Sequence, residues 1–586
     1  MMLILLSGMC LLQCEAQVTT EVVWQRCLGG SEAEWGSDMA PTSDGGFIGI
    51  GWSTSNDGDA VGSHGATDIL ATKLNADGTV QWRRMLGGSS EDRGYGCMEA
   101  SDGSIMIIGT SASSDGDLTQ NQGQDDVWVL KLSPAGTTIW QHSYGGSNMD
   151  SGFQTQETPD GGFVIHGITS SNDGDVVGFH PSPGTQDVWV FKINSAGILQ
   201  WSRALGGTGS DVNGQLTQTA DGGFLTNCST ASNDGDVTNY QGGGDCWLVK
   251  LSASGAIEWS RTVGGSLREY GTDILELSNG DVMLLATTES SDGDITLNQG
   301  GYDVLLAKIS STGQLLWERT YGGSLDEDCR SLLPTTDGGF VMAGYSSSSD
   351  GDVSSNAGGW DVWVLKVDAN GSLLWQRSYG GSLSEGVFLC EANNGGYLLS
   401  GTTHSNDGSV QGSNGGRELW LLKLTDSGDL AWQHCLGGSA EDWGYLKAQT
   451  SDGGYVAFGY TDSNDGDVSG NHGQRDMWVV KLLVTEPSEP IEPLECALYI
   501  PNAFSPNASG KNDSQCLYGT ECIKSMSFVI YDRWGNKVFE STDPKACWDG
   551  TYNGQALDPA VFVYHLSAAL TNGDGVERQG NITLVR

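Results

Sequence analysis

The chain has 586 residues, a formal net charge of −45, 87 glycines and only 17% charged residues. So acidic a balance excludes partners recognised through phosphate groups, nucleic acid and anionic lipid surfaces alike. The glycine content, without a long helical pattern, calls for many short strands joined by tight turns, over a length that exceeds one ordinary domain.

Residues 1–16 read as a signal peptide: an apolar run ends in a small-residue site, with cleavage expected after Ala16. No other stretch approaches the roughly 20 consecutive apolar residues of a membrane-spanning helix, so no transmembrane segment is expected.

Residues 17–484 repeat one unit eight times. Tryptophan recurs at Trp24, Trp82, Trp140, Trp201, Trp259, Trp317, Trp375 and Trp432, at intervals of 57 to 61 residues, each followed by a Gly-Gly pair. Next comes an Asp-Gly-Gly turn before an apolar strand such as 162–167, then a Ser-x-Asp-Gly-Asp loop. An acidic residue (Asp68, Asp126, Asp187, Asp245, Asp303, Asp361, Glu418, Asp476) then opens a second apolar strand. With the strand around each Trp and one after each Gly-Gly-Ser, a unit holds four short strands. Eight such units predict an all-β fold, an eight-bladed β-propeller with one blade per repeat. The array opens on a lone Trp-bearing strand (22–28) and stops after Lys481-Leu482. The N-terminal strand is therefore expected to close the last blade, which removes both exposed edges. The periodic tryptophans are read as packing between sheets, each indole withdrawing about 150–250 Å² from water. The irregular Trp35, Trp52, Trp360 and Trp443 are read as candidate surface contacts.

The Asp-Gly-Asp loops carry the most chemistry. Their paired carboxylates are Asp57 and Asp59, Asp115 and Asp117, Asp173 and Asp175, Asp234 and Asp236, Asp292 and Asp294, Asp350 and Asp352, and Asp465 and Asp467; in the seventh copy Ser409 replaces the second Asp. Two hard oxygen donors around a glycine make these candidate calcium loops. Turn chemistry, in which the side chains accept backbone N–H groups, is the stronger reading. A further loop position (His64, Gln122, His180, Gln241, Gln299, Ala357, Asn414, His472) reads as a polar rim. No singular acid, base or nucleophile breaks the repeat, so no enzyme is expected. Cys228 and Cys246 fall on adjacent strands and form a candidate disulfide.

Residues 485–495 are a Pro/Glu linker. The segment 496–586 is strand-rich and suggests a small β-sandwich. Its four cysteines, Cys496, Cys516, Cys522 and Cys547, read as two disulfides with three possible pairings in an exported protein.

Two resemblances follow from these motifs. The unit with Trp140, Gly145-Gly146-Ser147, Asp160-Gly161-Gly162-Phe163 and Asp187-Val-Trp-Val-Phe-Lys-Ile193 resembles a bacterial β-propeller repeat, over residues 22–482. The motifs Ile500-Pro-Asn-Ala-Phe-Ser-Pro-Asn507, Tyr531-Asp-Arg-Trp-Gly-Asn-Lys-Val-Phe539, Trp548-Asp-Gly550, Val561-Phe-Val-Tyr-His-Leu566 and the terminal Gly580-Asn-Ile-Thr-Leu-Val-Arg586 resemble the gliding motility-associated C-terminal domain, a type B sorting domain of type IX secretion in Bacteroidota. That resemblance implies export through the periplasm to the outer cell surface or medium, with the type IX machinery as partner. The expected function is a binding or adhesion scaffold for an extracellular protein or glycan. Its alternatives are an accessory protein or cryptic enzyme of extracellular polysaccharide and a structural surface-layer component.

Overall fold

A computed structural model describes residues 19–392, 395–485, 499–507, 512–518, 523–570 and 575–586. The signal segment 1–16, residues 486–495 of the linker, Cys496 and Cys522 lie outside the described residues. The chain divides into a unit of Thr19–Val484 and a C-terminal unit beginning at Thr485.

The first unit is all-β, in four-stranded sheets whose strands follow chain order, an arrangement consistent with a β-propeller. Sheet I spans residues 34–86, II 92–144, III 150–205, IV 211–263, V 269–321, VI 327–379 and VII 385–436. Sheet VIII joins Asp442–Gln449, Tyr455–Thr461 and Asp476–Thr485 to Thr19–Leu28 from the other end of the unit. Sheet III shows why the repeat folds this way. Its first strand, Asp150–Glu157, turns through Asp160-Gly161-Gly162 into Phe163–Thr169. Gly161 sits at φ 75°, a conformation that glycine alone adopts cheaply. The Asp of this turn also anchors the third strand, as in the ion pairs Lys73–Asp44 at 2.9 Å and Lys131–Asp102 at 2.8 Å.

The tryptophans that fill the core are not those that set the period. Six third-strand tryptophans, among them Trp128, Trp189 and Trp247, are fully buried, whereas most of the periodic ones are half-exposed. The periodic rings instead staple neighbouring sheets: Trp82 Nε1 donates to Pro134 O at 2.9 Å, and Trp201 Nε1 to Ala253 O at 3.2 Å. A turn glycine lies against seven of the eight rings, all but Trp432, and a Cβ at Gly136 would stand 2.7 Å from Trp82. The expectation of packing between sheets holds, with most of the rings at the margin of the sheet contacts rather than in the cores.

A second contact between sheets is acidic. The first strand of each sheet opens on a buried acid, such as Asp92 or Asp150, and the third strand opens on another, such as Asp68 or Asp126. The third-strand acid of one sheet and the first-strand acid of the next converge on the Gly-Gly turn between them. A Cβ at Gly145 would stand 2.5 Å from Asp126 Oδ1 and 2.7 Å from Asp150 Oδ2. Asp150 accepts Gly146 N at 2.8 Å and Ser171 Oγ at 2.7 Å. Asp126 Oδ2 accepts Gln122 N at 2.6 Å, but its Oδ1 is buried without a partner. Each of the other third-strand acids, from Asp68 to Asp476, likewise has one orphaned oxygen. Burial, then the neighbouring acid, pushes Asp126, Asp245, Asp303 and Glu418 up to about 7 and Asp187 and Asp361 up to about 6. The rim position is explained by the same acids. Its backbone N–H donates to the third-strand acid, from Gln241 as from Ala357 (2.9 and 2.7 Å), so its side chain is free to vary.

Cys228 and Cys246 are free and buried, against the expected bridge. The register pairs Cys228 with Trp247 and Ser229 with Cys246. An offset of one residue turns two side chains to opposite faces of a sheet, and the two thiols enter different cores, one facing sheet III and the other sheet V.

In the C-terminal unit the described residues form one five-stranded sheet, ordered Ala503–Phe504, Gly575–Leu584, Ala560–Leu570, Ile523–Tyr531 and Lys537–Ser541, with a two-stranded hairpin at Thr551–Ala556. The second layer of the expected sandwich is mostly irregular chain, whose Leu517 and Trp548 cover Phe528, Ile530, Phe562 and Leu566. Cys516 and Cys547 form a disulfide that closes a 31-residue separation beside the Gln515–Trp548 bridge. Replacing both cysteines by serine should destabilise this unit by about 3 kcal/mol through regained loop entropy. A denaturant midpoint equal to that of the parent chain would refute this.

Candidate ligand-binding cleft

One register position in every sheet escapes the repeat. There the second residue of the first strand faces the last but one residue of the second strand. The pair is Trp35–Trp52 in sheet I, Asp328–Tyr345 in VI, Trp443–Tyr460 in VIII and Val212–Ser229 in IV. In sheets I to VII the next residue but one on the first strand lies at a β-bulge, where pairing skips Tyr95 in sheet II, Phe153 in III, Arg330 in VI and Phe388 in VII; in VIII the bulge falls two residues further on, at Lys447. Bulges bend the strand locally and re-aim the unpaired side chain. Thus a repeat built for packing presents eight different surfaces at one level.

In sheets V to VII these positions line a cavity of about 670 Å³, large enough for a small ligand. Its aromatic wall is Tyr270, Tyr302, Tyr345, Trp360 and Phe388. Tyr345 and Trp360 meet edge to face at 5.0 Å, and Tyr270 and Phe388 are more than a third exposed. Its polar wall is pre-arranged. Tyr345 Oη donates to Asp328 Oδ2 at 3.0 Å and accepts from Arg330 Nη2 at 3.0 Å, while Arg330 and Asp328 pair at 2.5 Å. Burial raises the Asp328 carboxyl above its ordinary range, against the opposing pull of Arg330. Asp328 Oδ1 is buried without a hydrogen-bond partner. His404 Nδ1 lies 3.0 Å from Ser384 O, and Arg417 Nε donates to its Nε2 at 3.4 Å.

The sequence singled out Trp360, which stands in this cavity, and Trp443, Trp35 and Trp52, which occupy the same level in neighbouring sheets. It missed Tyr270, Asp328, Arg330, Tyr345 and Phe388. The signal that finds them is departure from the repeat at a fixed register, visible only once the strands are paired.

The Asp-Gly-Asp loops lie elsewhere, folded back onto the Gly-Gly turns. The first Asp accepts a backbone N–H: Asp57 from Ser31, Asp115 from Ser89 and Asp292 from Ser266, all at 2.7 Å. These donors hold Asp57, Asp115, Asp234, Asp292, Asp350 and Asp465 below the usual carboxylate range; Asp173 accepts Ser147 N in the same way. The second Asp donates its own N–H to the turn, Asp59 to Gly29 O at 2.8 Å and Asp117 to Gly87 O at 2.9 Å. Its carboxylate serves other partners: Asp175, Asp294 and Asp352 accept Gln122, Gln241 and Gln299 at 2.6 to 2.9 Å, and Asp467 accepts Gly437 N. Asp236 is raised by burial. Each carboxylate of a loop therefore has its own hydrogen bonds. Among the described residues no group of three or more His, Cys, Asp or Glu is placed to hold a metal ion.

The two units thus define a strand-repeat body joined to a separate sheet domain that ends the chain. Residues 498–584 match the CHU_C type IX secretion signal domain, so the chain is a type IX secretion substrate with its sorting signal in the C-terminal unit. That domain implies contact with the secretion machinery and export to the medium or the cell surface. No helix among the described residues is long and apolar enough to cross a membrane. The chain is also similar to the regulatory protein FlaEY of Caulobacter vibrioides, 24% identical over 274 residues, 42% of this chain and 28% of that protein. It therefore spans under a third of that relative. Among solved structures it is similar to puromycin hydrolase (10% identity, TM-score 0.39, covering 75% of this chain and 60% of that one) and to Drosophila Plexin A in complex with Semaphorin 1b (8%, 0.36, 82% and 90%). A protein of unknown function from Bacteroides caccae gives 14% identity and a TM-score of 0.27 over 49% of this chain and 82% of that one. At these scores none of the three bears on activity.

Proposed function

We propose that the chain is an exported eight-bladed β-propeller, closed by its own N-terminal strand, that serves without catalysis as a binding module for extracellular glycan. Closure is supported by the strand 19–28 lying in sheet VIII and by the junction of VIII with I repeating the other junctions. There the Ala33–Arg475 bridge matches Thr67–Glu91 and Arg417–Glu441. Glu34 and Asp476 converge on Gly29 as Asp126 and Asp150 do on Gly145. The observation that carries the binding role is the cavity of sheets V to VII. Aromatic rings suit the C–H faces of a sugar, and the Asp328–Tyr345–Arg330 cluster suits its hydroxyls.

A glycan array followed by calorimetry tests this. Trp360→Ala and Tyr345→Phe should each weaken the glycan that the parent chain captures, by about tenfold and about threefold. Unchanged affinity in a Trp360→Ala, Tyr345→Ala double variant that melts like the parent would remove the cleft from the binding role.

A further inference from the structure

The aromatic wall does not end at the cleft. Phe388 also lines a second cavity of about 470 Å³, with Trp443, Tyr445 and Lys447. Tyr445 in turn lines a third, of about 220 Å³, with Tyr95 and Phe153. Three cavities therefore share walls in sequence, each with first-strand residues in its lining. Ring contacts trace the same course. Phe153 meets Tyr95 at 5.5 Å, Tyr95 meets Trp52 at 6.1 Å, and Trp52 stacks on Trp35 at 5.8 Å. Arg475 then bridges Trp35 and Tyr460, at 5.7 and 4.0 Å from the ring centres. Tyr460 stacks on Trp443 at 5.5 Å, and Trp443 meets Phe388 at 5.7 Å. None of these rings is fully buried, in contrast to the third-strand tryptophans. At the corresponding paired positions sheet IV carries only Val212 and Ser229, so the track is interrupted there.

The cations named along the track are already paired with carboxylates. Lys447 pairs with Asp38 at 2.5 Å, Arg475 holds Asp462 through two bonds of 2.7 and 2.8 Å, and Arg417 lies 3.5 Å from Glu441. With Arg330 held by Asp328, each of these cations is neutralised by its own carboxylate, and the chain as a whole is strongly negative. Such a lining gives an anionic polymer no purchase. Rings for apolar faces, with paired polar groups between them, fit repeated uncharged sugar units.

Building on the glycan reading of the cleft, we infer that the ligand is an extended, uncharged polysaccharide that occupies successive subsites from the cavity of sheets V to VII, past Trp443, to Tyr95 and Phe153. Each added subsite contributes its own stacking, so affinity rises with chain length until the track is filled.

The test is calorimetry of the full chain with cello-, xylo- and manno-oligosaccharides from disaccharide to octasaccharide, and with galacturonate oligomers as the charged control. Affinity for one neutral series should rise by about tenfold or more between its disaccharide and its hexasaccharide. Phe153→Ser, at an exposed ring far along the track, and Trp35→Phe should cut binding of the longest oligomer several-fold and leave the disaccharide unchanged. Phe153→Ser removes no core contact, so a parent-like melting temperature separates a binding effect from misfolding. Binding that depends on Trp360 but not on length or Phe153 would overturn the track and leave the cleft reading standing. Preference for galacturonate would overturn the uncharged ligand, and failure of all the neutral series would overturn the track and the glycan reading together.

Discussion

Thermal unfolding of the repeat unit should occur at a higher midpoint at pH 5 than at pH 8. The cause is the set of third-strand acids. Asp126 is faced by Asp150, Asp175, Asp125 and the N–H of Gln122, Asp245 by Glu269, Asp294 and the N–H of Gln241, and Asp303 by Glu327, Asp352 and the N–H of Gln299. Carboxylates outnumber donors at each site, and the orphaned oxygen is satisfied most simply as an O–H. Folded values near 7 lie above the ordinary 3.8, so the native state holds protons that the unfolded chain has already released. This stability is fully present below about pH 4 and is lost as pH rises through 7. The Asp–Lys pairs of the turns between first and second strands act oppositely: against desolvation, which is the largest single influence on Asp44 and a lesser one on Asp102, hydrogen bonds and Lys73 or Lys131 together hold both at about 2, so their contribution disappears only as pH falls below 4. The optimum therefore lies on the acid side of neutrality. Each tenfold change in proton affinity is worth about 1.4 kcal/mol, so a net gain of about 4 kcal/mol is a small part of what these sites hold, and it moves the midpoint by about 5 °C. Replacing Asp126, Asp245 and Asp303 by Asn and Glu418 by Gln imitates the protonated acids. This variant should show a much smaller difference between the two pH values, the remainder coming from Asp187 and Asp361, and should melt above the parent at pH 8. A parent midpoint that climbs from pH 5 to pH 8 would show that the pairs are ionised in the folded chain.

The periodic residues made the strands and their order legible, because Trp82, Gly87-Gly88 and Asp126 each recur where a turn or a sheet contact demands one residue type. The role of a periodic residue was less legible. Trp82 and Trp128 have the same composition signal, yet one staples two sheets at the surface and the other fills a core, a difference set by which strand lies outermost. The acid pairs were half visible. Asp68 and its copies stood out, but Glu34, Asp92 and Asp150 gained meaning only when the next sheet came to lie against them. The cleft was the least legible, since Tyr270, Asp328 and Phe388 are ordinary strand residues until pairing and bulges bring three sheets to one cavity.

Deleting residues 17–28 should cost the repeat unit its cooperative fold. Its residues Thr19–Leu28 are the fourth strand of sheet VIII, beside the buried third strand of Met477, Trp478, Val479 and Val480. Trp24 packs on Phe47 of sheet I at 6.3 Å, and its Nε1 donates to Ala76 O at 3.2 Å, so the same strand staples VIII to I. Leu28 is 2% exposed in the core shared by both sheets. Burial of these two side chains alone contributes about 5 kcal/mol, before the ladder of backbone bonds and the newly bared edge are counted. The truncated chain should melt at least 10 °C lower, by the order of effect that such a loss produces, and should aggregate through the exposed strand 476–485. Generic damage is separated from loss of closure by returning the strand at the other end. Leu482 would be followed by a turn copied from residues 75–79 and then by residues 22–28, so that the last sheet is completed within one continuous repeat. This permuted chain should recover most of the parent midpoint. If the simple truncation already melts like the parent, the strand 19–28 is not what holds sheet VIII to sheet I, and the closed eight-bladed reading falls with it.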